Sequence, residues 1–490
     1  MQEEKDKILG NVFISAGANK LRLCNICFSD RIKEITPKSE RLFEWNEIEN
    51  ELQRKKIMSQ FPLSDQMNHH LFDGRFLLAI PGAIDPHVHF NTPGFEFRDT
   101  FRDASLAAAY GGVTTVVDMP CTSIPPVTKL ANFESKLKVI KNNSHVDFSF
   151  WGGIADDGLD EKIIEKNINE LAEAGVAGFK AYLVSGMETF KDLNEEKMKL
   201  AAKYVGKRDK TLAVHAEDKQ IINSAAAKFT KADLKKWETY CSTRSVLAET
   251  EAILKLVNIA GQIRCKIHVV HLSSKDGLEI IKNVQNRKLQ ITAETCPHYL
   301  YFTQEAFKDA TIRNYLKTAP PVKYDADKNA LWDGLADESI AFVTTDHAGC
   351  NPDSEKSSSD FSQVYGGIPG VEHRVPFLFS EGFLRKKLNL EQTIQLLSSN
   401  AADYFGFSEK GYLKEGYDAD IALIDLWSSE IVFASNMHSK GRYTPFEGVK
   451  FNAVVEKTFL RGNLIMDRLL SLSETDMNPE KLFLGRFIYV

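Results

Sequence analysis

The sequence predicts an α/β protein, a (β/α)8 barrel with a small β-sandwich module formed from both chain ends. Three observations predict it. Between Ile84 and Thr345, short apolar runs alternate with amphipathic stretches, the pattern of a parallel sheet buried on both faces. Eight such runs can be counted, the number a closed barrel needs. Before Pro81 and after Gly416 the pattern changes to short strands separated by turns.

Residues 1–80 form the N-terminal part of the smaller module. Asn11–Ser15 and Leu21–Phe28 read as strands and Arg31–Thr36 as a third, from their apolar and β-branched content. Residues 39–60 are charged and helical in character, an insertion between small strands. Asp73-Gly74 signals a turn ahead of the apolar run Phe76–Ile80. The barrel takes 81–415. Its first strand ends at Asp85-Pro86-His87-Val88-His89. The others are expected at Thr114–Met119, Val146–Trp151, Gly178–Val184, Thr211–His215, Lys266–His271, Gln290–Thr295 and Ile340–Thr345. Ile163–Ala174, Leu193–Val205 and Ser245–Ala260 carry helical periodicity. Gly111-Gly112 suits close helix–strand packing, and the polar stretch Ser354–Asp360 reads as a mobile loop. Residues 416–490 return to strands at Ala419–Asp425, Ile431–Ala434 and Asn452–Arg461, and end in a tail.

The chain has 490 residues, against about 250 for a barrel alone, so a second module is required. Hydrophobic residues make up 43% and charged residues 26%, which suits a globular enzyme. A net charge of −6 points to neither a nucleic-acid nor a membrane partner. No apolar run reaches the ~20 residues of a membrane span. The N-terminus is charged and lacks the apolar centre of a signal peptide, so a cytoplasmic protein is expected. Five of the seven cysteines are scattered singly. Cys24 and Cys27 form one CxxC with no second pair, which favours two reduced cysteines near a strand over a zinc knuckle.

In a barrel, catalytic groups sit at the carboxyl ends of the strands, and here ionisable residues recur at those points. His87 and His89 are two apart, so on a strand both face one side and make a natural divalent-metal site. His215 and His271 end two further strands and Asp346 ends the eighth. Lys180 stands inside an apolar strand, where a cation costs desolvation energy unless it is paired or neutralised. One reading is a lysine reaching to the barrel rim. The other is carbamylation, in which CO2 adds to the neutral amine and makes a carboxylate able to bridge two cations. The second fits a tally of two histidines and an aspartate on one metal and two histidines on the other. His268 reads as a packed or rim histidine. Arg244 and Glu249, at the start of a helix, read as a supporting pair.

DPHVHF, AGFKAYL, LAVHAED, HVVHLSS and TTDHAGC, in this order, resemble the cyclic amidohydrolases of the amidohydrolase superfamily, a group that includes allantoinase, dihydroorotase and dihydropyrimidinase (hydantoinase). The resemblance covers Pro81 to Met466. It implies the barrel with its β-sandwich and a centre of two divalent metal ions, usually zinc. It also implies His87, His89, Lys180, His215, His271 and Asp346 as ligands, with CO2 as carbamate on Lys180. In the implied reaction, activated water attacks a ring amide carbonyl, and Asp346 takes the proton and passes it to the departing nitrogen. A homo-oligomer, dimer or tetramer, is the group's usual state. Metal-free members that serve in assembly define the non-enzyme alternative; those have lost ligands, and this chain keeps all six.

The resemblance implies a cyclic amide or ureide as substrate. Dihydroorotases of this group carry an arginine two residues after the second metal histidine, where Asn91 stands here. They also carry an asparagine where Cys121 stands. Allantoinases are more similar, through Asn91-Thr92-Pro93-Gly94, Met119-Pro120, Pro125-Pro126, Thr295–Tyr299, Ala319–Lys323 and Tyr365–Gly370. Allantoin is uncharged and does not require an arginine. The resemblance therefore ranks allantoin first, dihydroorotate second and hydantoin-type rings third. Asn91, His298, Pro320 and Gly367 are the expected substrate contacts.

Overall fold

The computed structural model describes residues 6–61, 71–158, 160–469 and 483–490. The first strands are β1 (Lys7–Ser15), β2 (Lys20–Phe28), β3 (Ile32–Glu44), β4 (Leu71–Asp73) and β5 (Leu78–Pro81). Next come the barrel strands β6 (Ala83–His89), β7 (Val113–Asp118), β8 (Asp147–Gly153), β9 (Gly178–Tyr182), β10 (Thr211–His215), β11 (Lys266–Val269) and β12 (Ile291–Thr295). They are followed by β13 (Phe342–Val343) and β14 (His347–Ala348), and then β15 (Ile421–Asp425), β16 (Glu430–Ile431), β17 (Lys450–Phe451), β18 (Val454–Leu460) and β19 (Asn463–Asp467).

The barrel sheet runs β13-β12-β11-β10-β9-β8-β7-β6-β14, and its paired neighbours are parallel. β13 and β14 are two halves of one eighth strand. β13 pairs with β12 and β14 with β6, so the ring closes across the break between them. Asp346 sits in that break with φ +49°, left-handed backbone that cannot continue a strand. The expected strand Ile340–Thr345 is therefore only Phe342–Val343 before the interruption. Likewise the expected Lys266–His271 stops at Val269, because His271 is at φ +41°. Both deviations turn the chain where a candidate ligand must leave the sheet.

The end of the barrel opposite the ligands is packed. Trp151, Ala213, Phe342, Phe405 and Phe407 belong to one buried apolar cluster, and the Trp151 indole donates to the Pro86 carbonyl at 2.8 Å. Helix Asn400–Phe405 carries Tyr404 and Phe405 into contact with it.

The smaller module is one eight-stranded sheet, β19-β18-β15-β5-β1-β2-β3 with β4 beside β1, built from both chain ends. Phe28 on β2 and Phe459 on β18 lie 5.7 Å apart. Their strands are four places apart in the sheet, a separation of roughly 19 Å if it were flat. The sheet therefore folds over itself as a sandwich around Leu9, Val12, Ile26, Ile421 and Leu423.

Several expectations need correction. β3 continues through Glu44, so the insertion is helical only at Trp45–Ile48 and Glu51–Met58; part of residues 39–60 lies in the strand because β3 keeps pairing with β2 up to Lys20. Glu430–Ile431 pairs with Lys450–Phe451 in a separate ribbon outside the sandwich. β19 was not expected; it forms because Arg461-Gly462, both at positive φ, reverse the chain. Ser354–Asp360 is anchored: the buried Lys356 ammonium donates to the carbonyls of Asn314, Tyr365 and Gly367 at 2.8–3.0 Å. The tail returns to the barrel, where Phe148 N donates to Arg486 O and Ile488 N to Phe148 O. The seven cysteines are free, with Cys24 buried and Cys27 partly exposed.

Candidate active site

Four strands, β6, β9, β10 and β11, and the break at Asp346 bring the six candidate ligands to one mouth of the barrel. Pro86 lies within β6 and has no N–H to give the ladder; the register with β7 shifts between Asp85 and Val88. Past this irregularity His87 and His89 point inward, with ring centroids 5.3 Å apart. His87 Nε2 and His89 Nε2 each lie 3.1 Å from Asp346 Oδ1. Ligand atoms of these three residues fall within 4.8 Å of one another. On the opposite wall His215 Nδ1 lies 2.9 Å from His271 Nε2, and the His271 ring is 5.6 Å from that of His87.

Lys180 on β9 lies with these two groups. It is fully buried and its Nζ has no hydrogen-bond partner among the described residues. It stands 5.0 Å over the Tyr182 ring. Burial drives its pKa down to about 8, against the pull of Asp346 and Glu294. A buried ammonium without a partner costs several kcal/mol, so the rim reading fails: this amine does not reach water.

The electrostatics suit cation binding. Burial opposes ionisation of Asp346, but His87 and His89 outweigh it and hold its carboxyl well below the usual range. Burial also opposes protonation of His89, yet Cys121 and Asp346 push it up to about 10. Such a demand for positive charge at converging N and O donors fits a divalent ion. His215 and His271 are instead held below the usual histidine range, chiefly by burial, which keeps their lone pairs free.

The candidate ligand histidines are held from behind. His87 Nδ1 bonds Glu294 on β12. His215 Nε2 lies 2.9 Å from Glu217, and Glu217 is paired with Arg244. His89 Nδ1 faces Thr122 Oγ1 at 3.3 Å and Cys121 Sγ at 3.6 Å. Sequence reasoning passed over Glu217, Glu294 and Cys121 in this role. A signal existed for the first two: each is an acid at a barrel strand end, Glu217 two places after His215 and Glu294 in β12. The expected pairing of Arg244 with Glu249 is not formed. Arg244 goes to Glu217, and Glu249 accepts from Ser273 N and Oγ, both at 2.9 Å.

The expected substrate contacts differ from one another. Asn91 is buried at φ +58°. Its Nδ2 donates to Gly349 O at 3.1 Å, which leaves Oδ1 as an acceptor with no partner among the described residues. His298 is buried with Nε2 likewise unpartnered, and burial takes it down to about 4, so its imidazole is neutral. The Pro320 carbonyl already accepts from Tyr299 Oη at 2.7 Å and Thr318 Oγ1 at 2.9 Å. Gly367 gives its N–H to Lys317 O and its carbonyl to Lys356 and Tyr443. A Cβ there would lie 2.7 Å from Ala348 O, so glycine is required for close packing.

Converging nitrogen and oxygen donors at the carboxyl ends of a parallel barrel define the class of metal-binding barrel proteins. The amidohydrolase family model matches residues 78–465, and the chain belongs to the amidohydrolase family, whose members use a binuclear metal centre. The chain is 36% identical over 397 residues to an allantoinase of Rubrobacter xylanophilus, covering 81% of this chain and 85% of that one. It is 33% identical to an allantoinase of Enterococcus faecalis, covering 84% and 90%. An L-hydantoinase (dihydropyrimidinase) from Arthrobacter aurescens superimposes with TM-score 0.85 at 26% identity, covering 99% of this chain and 100% of that one. These relatives place the chain in the cyclic amidohydrolase group, hydrolases of C–N bonds in cyclic amides. No helix among the described residues is long and apolar enough to cross a membrane.

Proposed function

We propose that the protein opens an uncharged cyclic ureide by hydrolysis, with allantoin, converted to allantoate, as the substrate. The observation that carries this reading is Asn91. Its amide nitrogen gives a proton to the Gly349 carbonyl, which turns Oδ1, an acceptor with no partner among the described residues, into the group that suits a ring N–H. Two arginines of the rim loops are each engaged by an acid, Arg98 by Glu355 and Arg244 by Glu217. The curated relatives above bear the name allantoinase. A second reading, a hydantoin or dihydrouracil ring, is favoured by the full-length superposition on the L-hydantoinase. Dihydroorotate ranks below both, since its carboxylate would face Asn91.

In this reading His87, His89, His215, His271, Asp346 and a carbamate on Lys180 hold two divalent ions, zinc in the first instance. Such ions supply Lewis acidity, lowering the pKa of water and polarising a carbonyl. The chain's own residues do the rest. Asp346, kept ionised by His87 and His89, accepts the proton of the attacking water and delivers it to the departing ring nitrogen. His298 is neutral and can hydrogen-bond the substrate without adding charge. Asn91 fixes a ring N–H, and the backbone at Pro320 and Gly367 walls the pocket. The buried surroundings exclude bulk water, which strengthens each of these polar contacts. The reading includes a cytoplasmic homo-oligomer, dimer or tetramer.

The test is a hydrolysis panel of allantoin, dihydroorotate, dihydrouracil and hydantoin with the purified metal-loaded protein. Allantoin should give the highest kcat/KM, and a preference for dihydroorotate would overturn the substrate assignment. Metal analysis should find about two equivalents per chain. Less than one, not restored by zinc and bicarbonate, would overturn the metal reading.

A further inference from the structure

A column of hydrogen bonds descends through the barrel from the candidate ligand His87 to the packed end of the barrel. Glu294 is its first member: one carboxylate oxygen takes His87 Nδ1 and the other lies 3.2 Å from His268 Nε2. His268 Nδ1 lies 2.7 Å from Thr292 Oγ1. Thr292 Oγ1 is 2.9 Å from Tyr404 Oη, and Tyr404 Oη is 3.4 Å from Thr211 Oγ1. The residues descend in layers. Glu294 is near the carboxyl end of β12, His268 is midway along β11, and Thr292 and Thr211 lie at the starts of β12 and β10. Tyr404 enters from helix Asn400–Phe405 outside the sheet.

The donors in this column follow from the groups at its two ends, the Glu294 carboxylate and the Thr211 hydroxyl. Glu294 sets one carboxylate oxygen on each imidazole, and a carboxylate only accepts. Both histidines must therefore present N–H to it, His87 from Nδ1 and His268 from Nε2. The other nitrogen of His268, Nδ1, lies within hydrogen-bond reach of the Thr292 hydroxyl. Thr211 Oγ1–H donates to Tyr404 Oη, which leaves the Tyr404 hydroxyl proton for Thr292 Oγ1 and the Thr292 proton for His268 Nδ1. Each bond runs the same way and no donor faces a donor. The His268 ring cannot turn out of this arrangement, because it stacks on Phe342 at 5.1 Å and is flanked by Tyr404 at 5.5 Å.

We infer that His268, Thr292 and Tyr404 are positioning residues for His87: through Glu294 they fix the imidazole with Nδ1 protonated and Nε2 bare, oriented to bind a cation. The inference rests on the reading of His87 as a metal ligand. A carboxylate behind a ligating histidine sets its tautomer and basicity. Here that carboxylate is itself held by a second histidine, which is oriented in turn by two hydroxyls. Thr292 and Tyr404 thus act on the metal site without lying in it. The packed end of the barrel, where sequence variation would be read as affecting stability alone, contributes to metal affinity.

The test uses the full-length metal-loaded protein with Thr292→Val, Thr292→Ser, Tyr404→Phe and His268→Gln. The readouts are metal released to a competing chelator and KM beside kcat. Thr292→Val keeps the side chain's shape and deletes the hydroxyl, so it should weaken metal retention by about 10-fold, at the low end for supports of this kind, and leave KM unchanged. Tyr404→Phe should act in the same direction, less strongly. Thr292→Ser restores the hydroxyl and His268→Gln keeps a donor toward Glu294, so both should retain metal better than Thr292→Val. Metal retention within twofold of wild type in both Thr292→Val and Tyr404→Phe would overturn the inference. So would Thr292→Ser failing as badly as Thr292→Val, which would show packing alone at work. If the wild-type protein itself retains no metal, it is the reading of His87 as a ligand that fails.

Discussion

At the scale of single residues, the site depends on groups that would be unfavourable anywhere else. Asp346 at φ +49° and His271 at φ +41° occupy left-handed backbone, which costs non-glycine residues of order 1–3 kcal/mol. Both turn a side chain from a strand end into the mouth. Asp346→Asn keeps the shape and removes the base; turnover should fall by about 10²–10⁴-fold with at least one metal still bound. Substantial residual kcat would exclude Asp346 as the proton carrier. Lys180 is a third such group, an amine buried with no partner among the described residues. Lys180→Ala removes the bridging carboxylate of the proposal, so metal content should drop to one equivalent or less and activity with it. Lys180→Arg should not restore either, because a guanidinium cannot be carbamylated at neutral pH. Wild-type metal content in Lys180→Ala would rule out a bridging role.

The residue types and their strand-end placement made these six residues legible in the sequence. What supports them was not legible in the same way. Glu217 and Glu294 become meaningful only when His215 and His87 are seen to face them, and Arg244 could be given a partner only in three dimensions. Gly367 shows another limit: its motif suggested a substrate contact, and only the structure shows that its missing Cβ also lets it pack closely against Ala348.

At the scale of elements, the number of strands followed from apolar runs, but the way the ring closes did not. Closure lies at the join of β6 with the split strand β13/β14, and one buried guanidinium spans it. Arg374 donates from Nη1 to Val343 O at 2.6 Å and from Nη2 to Ile84 O at 2.9 Å. Its Nε lies 3.9 Å from Asp85, which accepts from Thr345 Oγ1 at 2.6 Å. Arg374 therefore ties β6, β13 and the start of the break together. Nothing local in Glu372-His373-Arg374 announces this role, because all its partners are distant in sequence. Removing one member of a fully buried charge pair costs about 3–5 kcal/mol. Arg374→Ala should therefore lower the denaturation midpoint markedly. Arg374→Lys should recover only part of the loss, since one ammonium cannot span both carbonyls in a fixed fork. A midpoint for Arg374→Ala equal to wild type would show that the seam holds without it.

At the scale of the whole molecule, barrel and sandwich are joined through a buried charge cluster. Lys410 Nζ lies 2.8 Å from Asp147 of β8, 2.7 Å from Asp420 and 3.0 Å from Asp418. Arg461 pairs with Asp147 from the sandwich side, and the returning tail adds Arg486 N on Asp147 at 2.8 Å. Three acids this close could suggest a metal site, but Lys410 already fills it. Burial opposes the charge on Lys410, yet the aspartates outweigh it and hold the ammonium above the usual lysine range. A lysine whose folded pKa is raised gives stability that is complete below its unfolded value, about 10.4, so the contribution is whole at neutral pH. Lys410→Met leaves the acids buried with only Arg461 to offset them. Burial then dominates, as it already does for Asp420, whose carboxyl is pushed up. In the variant the folded state would bind more protons than the unfolded chain, so its stability should rise as pH falls. Denaturant titrations should therefore show a deficit of about 3–5 kcal/mol against wild type at pH 7 that shrinks by more than half near pH 4.5, close to the unperturbed carboxyl range. A deficit of the same size at both pH values would mean that Lys410 joins the two modules by packing and not by charge.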